Sequence, residues 1–389
     1  MKKTFVLAPD SFKESMTALQ ACQAMQRGIA HVFKDADFIL LPMADGGEGT
    51  LDAIMSTGQA LKCSHSVIGP LPTQQIAGYF ALLEESNTAV IEMALVNGMV
   101  CLAPEHRNPW LCSSYGTGEM MLAALDAGVE RIVVAVGGSL TNDAGMGMAQ
   151  ALGVKFLDQN GQTLALGAQY LNQVVDIDVS GIDPRLAKVE VMIASDVNNP
   201  LYGPQGASHV FAAQKGASPE MIVQLDCAVK HFADRVQSCL GLDYAEIAGA
   251  GAAGGLAYGL MVFAQAQMQS GVEWVIAHTD LHAAIQRADY VFTGEGALDA
   301  QTLMGKTPYG VAKAAKAQHK PVIACAGKLG EGVEALYSHG FDAIFGILDR
   351  CSTTAQACLD GEKNLERCSR NIAQLIQCSE ALSQLRTAR

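Results

Sequence analysis

An α/β architecture with mainly parallel sheets follows from three features of the chain: short apolar runs without polar alternation, helical stretches between them, and glycine-rich turns joining the two. A strand covered by helices on both faces reads as a continuous apolar run. The chain of 389 residues is 50% hydrophobic and 17% charged, which suits a well-buried globular protein rather than a disordered one. Its length exceeds one ordinary core and predicts two domains.

Strands are expected at residues 4–8, 38–41, 131–136, 189–194, 290–293, 321–326 and 343–348. Helices are expected at 18–33, capped by Thr17, and at 117–127, closed by Gly128; Thr117, in Gly116-Thr117-Gly118-Glu119, reads as a cap. Two more, at 219–237 and 308–318, begin with proline, whose fixed φ suits a first turn. Residues 62–93 hold short β-like stretches split by Gly69-Pro70-Leu71-Pro72 and Glu84-Glu85-Ser86-Asn87, a pattern of antiparallel hairpins. Residues 1–60 plus 281–389 are therefore expected to form one discontinuous Rossmann- or flavodoxin-like domain, with 61–280 inserted as a second α/β domain. The uncharged stretch 247–272 is interrupted by five glycines from Gly249 to Gly259 and by Gln265, Gln267 and Gln269, so it reads as a buried helix with its loop, not a membrane span. Residues 361–389 read as an amphipathic helix covering the protein's own core.

Composition narrows the function. A net charge of −13 without a Lys/Arg run excludes a large nucleic-acid face but leaves nucleotides open, since an acidic site recruits Mg²⁺. The 11 cysteines contain no CxxC pair, and Cys351 and Cys358 have no accompanying histidine pair, so reduced thiols in a cytoplasmic protein are expected rather than zinc. The apolar run at the N-terminus ends at Asp10, too early for a signal peptide. Oligomeric state is left open.

In open parallel sheets, ligands bind beyond the carboxyl ends of the strands. Five expected strands run into loops carrying acids, glycines or both: Ala8-Pro9-Asp10-Ser11-Phe12-Lys13, Ala44-Asp45-Gly46-Gly47-Glu48-Gly49-Thr50, Gly137-Gly138-Ser139-Leu140-Thr141-Asn142-Asp143, Ser195-Asp196-Val197-Asn198-Asn199-Pro200 and Thr293-Gly294-Glu295-Gly296. One such loop is an ordinary turn. Several carboxylates gathered together repel one another, and such a site awaits a cation. Asp10, Asp45, Asp196 and Glu295 are candidates to hold Mg²⁺ or deprotonate a hydroxyl; Lys13 and Lys306 are candidates to neutralise phosphate or a substrate carboxylate. Glycine loops admit phosphate oxygens to backbone N–H groups, and positioning, metal and charge are what phosphoryl transfer requires. Two more conspicuous strings weigh less. Gly305-Lys306-Thr307 lacks the P-loop glycine, Ala300 standing in its place, and Gly249-Ala250-Gly251-Ala252-Ala253-Gly254 follows a poor strand for a dinucleotide fingerprint.

In order along the chain, these loops resemble the type I glycerate kinase family. The resemblance spans nearly the whole chain and is carried by APDSFKES (8–15), ADGGEGT (44–50), GTGE (116–119), GGSLTNDAGMGMAQALG (137–153), SDVNNPLYGPQGAS (195–208), FAAQKGA (211–217), GAGAAGG (249–255) and TGEGALDAQTLMGKTPYGVA (293–312). Glu14, Leu140, Ala144 and Ala297 stand where the family often has Gly, Ala, Gly and Arg. The resemblance implies ATP- and Mg²⁺-dependent phosphorylation of D-glycerate, with 2-phosphoglycerate slightly favoured over 3-phosphoglycerate as product, in a two-domain fold with the site between domains. Asp196 is then expected as the base, and Asp45, Asp196 and Glu295 as metal ligands, with Asp45 and Lys13 also catalytic. Asp10, Ser11, Gly46, Gly47, Gly137, Gly138, Ser139, Asn142, Glu295 and Lys306 are expected to bind substrate or phosphate. The competing readings are an NAD(P)-dependent oxidoreductase resting on GAGAAGG and a non-catalytic nucleotide-binding module.

Overall fold

The computed structural model describes residues 2–387. In chain order the strands are β1 (Thr4–Leu7), β2 (Asp37–Leu40), β3 (Ala60–Ile68), β4 (Gln75–Leu83), β5 (Thr88–Glu92), β6 (Arg131–Ala135), β7 (Lys155–Leu157), β8 (Asp176–Asp178), β9 (Glu190–Ala194), β10 (Gln267–Gln269), β11 (Tyr290–Leu298), β12 (Val322–Leu329) and β13 (Ala343–Gly346). The chain divides into two compact units, one made of Met1–Asp45, Asp52–Thr57 and Val272–Arg389 and the other of Gly46–Leu51 and Gly58–Gly271.

The first unit is built on a five-stranded parallel sheet in the order β13-β12-β11-β1-β2. Counted within the unit this is the flavodoxin-like order, and it reverses between β1 and β11. Connections leave those two strands toward opposite faces, so a crevice opens at their carboxyl ends. Phe5, Leu7, Phe292 and Ile323 from the sheet form a core with Met25 and Ile29 of the helix Ala18–Ala30 and with Leu365 and Ile372 of the C-terminal helix Gly361–Thr387. Thr17 caps the first of these helices in a reciprocal capping box with Gln20. The two helices approach at Gly28, where a Cβ would lie 2.2 Å from the Glu366 carbonyl oxygen. β11 is longer than its apolar run suggests. It stays paired to β12 through Glu295↔Ala326 and Leu298↔Leu329, so register with a neighbour carries it across two glycines.

The second unit contains a six-stranded sheet in the order β10-β9-β6-β5-β4-β3. Strands β5, β6, β9 and β10 are parallel, while β3, β4 and β5 form the expected antiparallel meander. The short pair β7–β8 has no counterpart in the sequence reading, because three-residue strands leave no periodicity to detect. The helix Ala252–Ala264 is buried at every position, and no helix among the described residues is long and apolar enough to cross a membrane. Ser218 caps the helix Pro219–Leu240 by accepting from the Met221 N–H. Thr117 corrects its expected role. It lies inside the helix Tyr115–Asp126, and its N–H and hydroxyl both donate to Asn97 Oδ1 at 2.8 Å, so it ties two buried segments together instead of capping.

Candidate active site

The first unit concentrates its acids at the β1/β11 reversal. Asp10, just beyond β1, is buried; its carboxylate accepts from the Ser11 N–H and the Thr307 hydroxyl. Burial, reinforced by the Asp45 charge, pushes Asp10 up to about 8. Glu295, within β11, accepts from Thr302 Oγ1 at 3.2 Å and has Lys306 Nζ at 3.7 Å. Burial pushes it up to about 7 although Lys306 and Thr302 both favour its charged form. Asp45, half-buried at the end of the loop after β2, raises both neighbours, and the exposed Lys13 counters it at Glu295. Asp10, Ser11, Lys13, Asp45, Glu295 and Lys306 thus interact within one unit. Among the described residues no group of three or more His, Cys, Asp or Glu is arranged to hold an ion. Repelling carboxylates without a closed cage fit a cation that arrives with phosphate oxygens and keeps its waters.

Thr307 was hidden in the sequence inside a string that mimics a P-loop. Gly305, at φ +103°, ends a short 3₁₀ turn, and Lys306 precedes the helix Thr307–Lys316 with its Nζ 3.7 Å from the Glu295 carboxylate. Glu14, where the family often has glycine, adopts φ +63°. It is exposed, so E14G removes left-handed strain without losing packing. We expect a gain of about 1 kcal/mol, read as a melting temperature about 2–4 °C higher.

In the second unit two glycine loops depend on each other. A Cβ on Gly137 would lie 2.5 Å from Gly47 Cα, and one on Gly46 would lie 2.8 Å from Gly271 Cα. The Gly137 N–H donates to the Gly46 carbonyl at 3.3 Å. Glu92, buried at the end of β5, accepts from the N–H groups of Gly49 and Leu51 at 3.1 and 2.9 Å. It anchors the Gly49–Leu51 stretch, a role invisible in a sequence where it merely ends an apolar run.

Ser139 follows the left-handed Gly138 (φ +77°), and its Oγ accepts from Lys215 Nζ at 2.9 Å. Lys215 also donates to the Thr141 carbonyl at 2.7 Å. It is fully buried, and burial pushes it down to about 7 despite the Asp143 charge. Sequence reasoning singled out the FAAQKGA segment but not its lysine, because nothing local shows that the side chain turns inward. Asn142 is wholly buried, its amide donating to Ser208 Oγ at 3.0 Å. Asp143 is likewise internal, accepting from Ser114, Gly145 and Gly147. Asp196 lies half-buried just beyond β9.

GAGAAGG proves to be a packing surface. No strand precedes it. A Cβ on Gly254 (φ +65°) would lie 2.1 Å from the Thr141 carbonyl oxygen, and one on Gly251 would lie 2.3 Å from that of Pro200. These glycines let the buried helix Ala252–Ala264 press against the backbones of the Thr141 and Pro200 loops. A dinucleotide fingerprint requires a preceding strand, so the oxidoreductase reading loses its support.

Comparison with known proteins identifies the family. The model of the glycerate kinase family matches residues 5–377. A glycerate kinase of Halalkalibacterium halodurans is 48% identical over 95% of this chain and 97% of its own length. The glycerate 2-kinase of Escherichia coli is 43% identical over 95% and 96%. A crystal structure assigned as glycerate kinase 2 of Salmonella typhimurium LT2 superposes with a TM-score of 0.79 at 41% identity, covering 98% of this chain and all of that one. With a family match across nearly its whole length and relatives above 40% identity, the chain belongs to the glycerate kinase family.

Proposed function

We propose that the chain transfers the γ-phosphoryl group of ATP to the C2 hydroxyl of D-glycerate, with Mg²⁺ as cofactor, giving 2-phosphoglycerate. The observation that carries this reading is the acidic cluster of Asp10, Asp45 and Glu295, flanked by Lys13 and Lys306, at the reversal of a flavodoxin-like sheet. Preference for C2 rests on the E. coli relative, named a glycerate 2-kinase. A cytoplasmic location accords with the proposed use of ATP.

Asp45 and Glu295 offer oxygens to Mg²⁺, which when bound neutralises the phosphate charge that builds up in transfer. Lys13 and Lys306 meet anionic oxygens, and the Gly137-Gly138-Ser139 loop offers donors to the phosphates. Asp196 takes the proton of the attacking hydroxyl. The hydroxyl oxygen forms the new P–O bond as the bond to the β-phosphate oxygen breaks, and ADP leaves.

³¹P NMR of a reaction containing ATP, Mg²⁺ and D-glycerate tests this directly. The expected spectrum shows ADP and a phosphate ester coupled to the single C2 proton. Coupling to two methylene protons would reassign the acceptor to C3, and no ester at all would refute the activity.

A further inference from the structure

We propose that Lys215 is a positioning residue for the phosphate loop: its ammonium holds Ser139 so that the serine hydroxyl hydrogen is left to donate to an anionic phosphate oxygen. The inference rests on the reading of the Gly137–Ser139 loop as a phosphate site and adds to it a residue outside that loop.

Three observations converge. Lys215 retains 1% exposure, yet its Nζ donates to two neutral oxygens, Ser139 Oγ at 2.9 Å and the Thr141 carbonyl at 2.7 Å. An ammonium buried among neutral partners is costly, and an apolar side chain would fill the same space more favourably. Second, a hydroxyl that accepts from a lysine keeps its own hydrogen to give, and donation from a cation strengthens that second bond. Ser139 is 6% exposed, so the order from inside to outside runs ammonium, hydroxyl, solvent. Third, the backbone is tied on both sides of Ser139: Met99 N–H donates to the Gly138 carbonyl and Leu140 N–H to the Asn97 carbonyl, both at 3.0 Å. With the main chain held there, the serine hydroxyl takes its direction from Lys215.

The titratable groups that act on Lys215 are Asp143 and Cys112. Burial pushes the Cys112 thiol up to about 12, so it is neutral, and the Asp143 carboxylate is already occupied by Ser114, Gly145 and Gly147. A phosphate arriving at Ser139 therefore adds a second negative charge to that of Asp143, and binding favours the protonated lysine.

Calorimetric titration of ADP into wild type, K215M, S139A and the double variant tests the proposal, with thermal melting alongside. Each single variant is expected to bind ADP at least about tenfold more weakly. The double variant should lose no more than the worse single, because the lysine acts through the serine. K215M should melt at or above the wild-type temperature, having lost a buried charge. Between pH 8 and 9, where ADP is already fully ionised, wild-type affinity should fall by up to about tenfold while that of K215M stays level. Equal affinity in wild type and K215M, or additive losses in the double variant, overturns the role of Lys215. Should K215M not fold, S139A decides alone, and unchanged affinity in it overturns the proposal. A wild type that binds no ADP overturns both this inference and the phosphate-site reading, whereas a wild type that binds ADP while K215M binds it equally well overturns this inference only.

Discussion

Replacing Asp196 with Asn is expected to lower kcat for glycerate phosphorylation by about 10³-fold, with the KM values for ATP and glycerate changed by less than about threefold. The amide has the size and shape of the carboxylate but cannot take a proton. An interaction needed only as the hydroxyl loses its proton is removed, so the loss belongs in kcat. Asp196 is half-buried in a loop beyond β9, and an isosteric change there leaves the core untouched, so the melting temperature should stay within about 2 °C of wild type. Steady-state kinetics together with a melting curve separate the outcomes. Near-wild-type turnover would remove Asp196 from the role of base, and a collapse in melting temperature would assign it a structural one.

The double variant D10N/E295Q is expected to lose about 10²–10³-fold in kcat/KM, and it should also change how the fold responds to pH. Both carboxyls hold their protons more tightly in the folded chain than in the unfolded one, Asp10 at about 8 against 3.8 and Glu295 at about 7 against 4.5. Their contribution to stability is therefore complete below the ordinary carboxylate range and is lost as pH rises through about 7 and about 8. Wild type should melt at progressively lower temperature from pH 5 to pH 9 in the absence of divalent cations. The double variant, which carries no charge at either position, should show a flatter profile and melt above wild type at pH 9. A parallel decline in both proteins would mean that these two groups do not carry the titration.

Much of the molecule was legible one residue at a time. The apolar runs at 4–8 and 131–136 correspond to β1 and β6 because a strand buried on both faces leaves no polar position to confuse the reading, while the half-exposed edge strand β2 was legible from its apolar run at 38–41 alone. Thr17 was readable as a cap and Pro219 as a first-turn residue, because helix starts are settled within four residues. The acids of the first unit were legible for a topological reason: strand ends in a parallel sheet converge, so Asp10 and Glu295 meet wherever β1 and β11 are neighbours. Their partners were less so. Thr302 and Thr307 carry no distinguishing chemistry, and a bond between positions 10 and 307 exists only once β1 and β11 lie side by side.

The order of loops along the chain, their glycines and their carboxylates determined by themselves the family and the strand-end location of the acids, since those depend on local chain chemistry and on how parallel strands must be connected. Only the tertiary structure decided which of the conspicuous residues face outward and which lie beneath. It turned Asn142 and Asp143 inward, made GAGAAGG a packing surface, set Glu92 to anchor a distant loop and buried Lys215 behind Ser139. The physical reason is the same in each case: burial and long-range hydrogen bonds are properties of neighbours that a linear sequence does not place side by side, and they decide whether a charge is solvated, neutralised or held ready for a ligand.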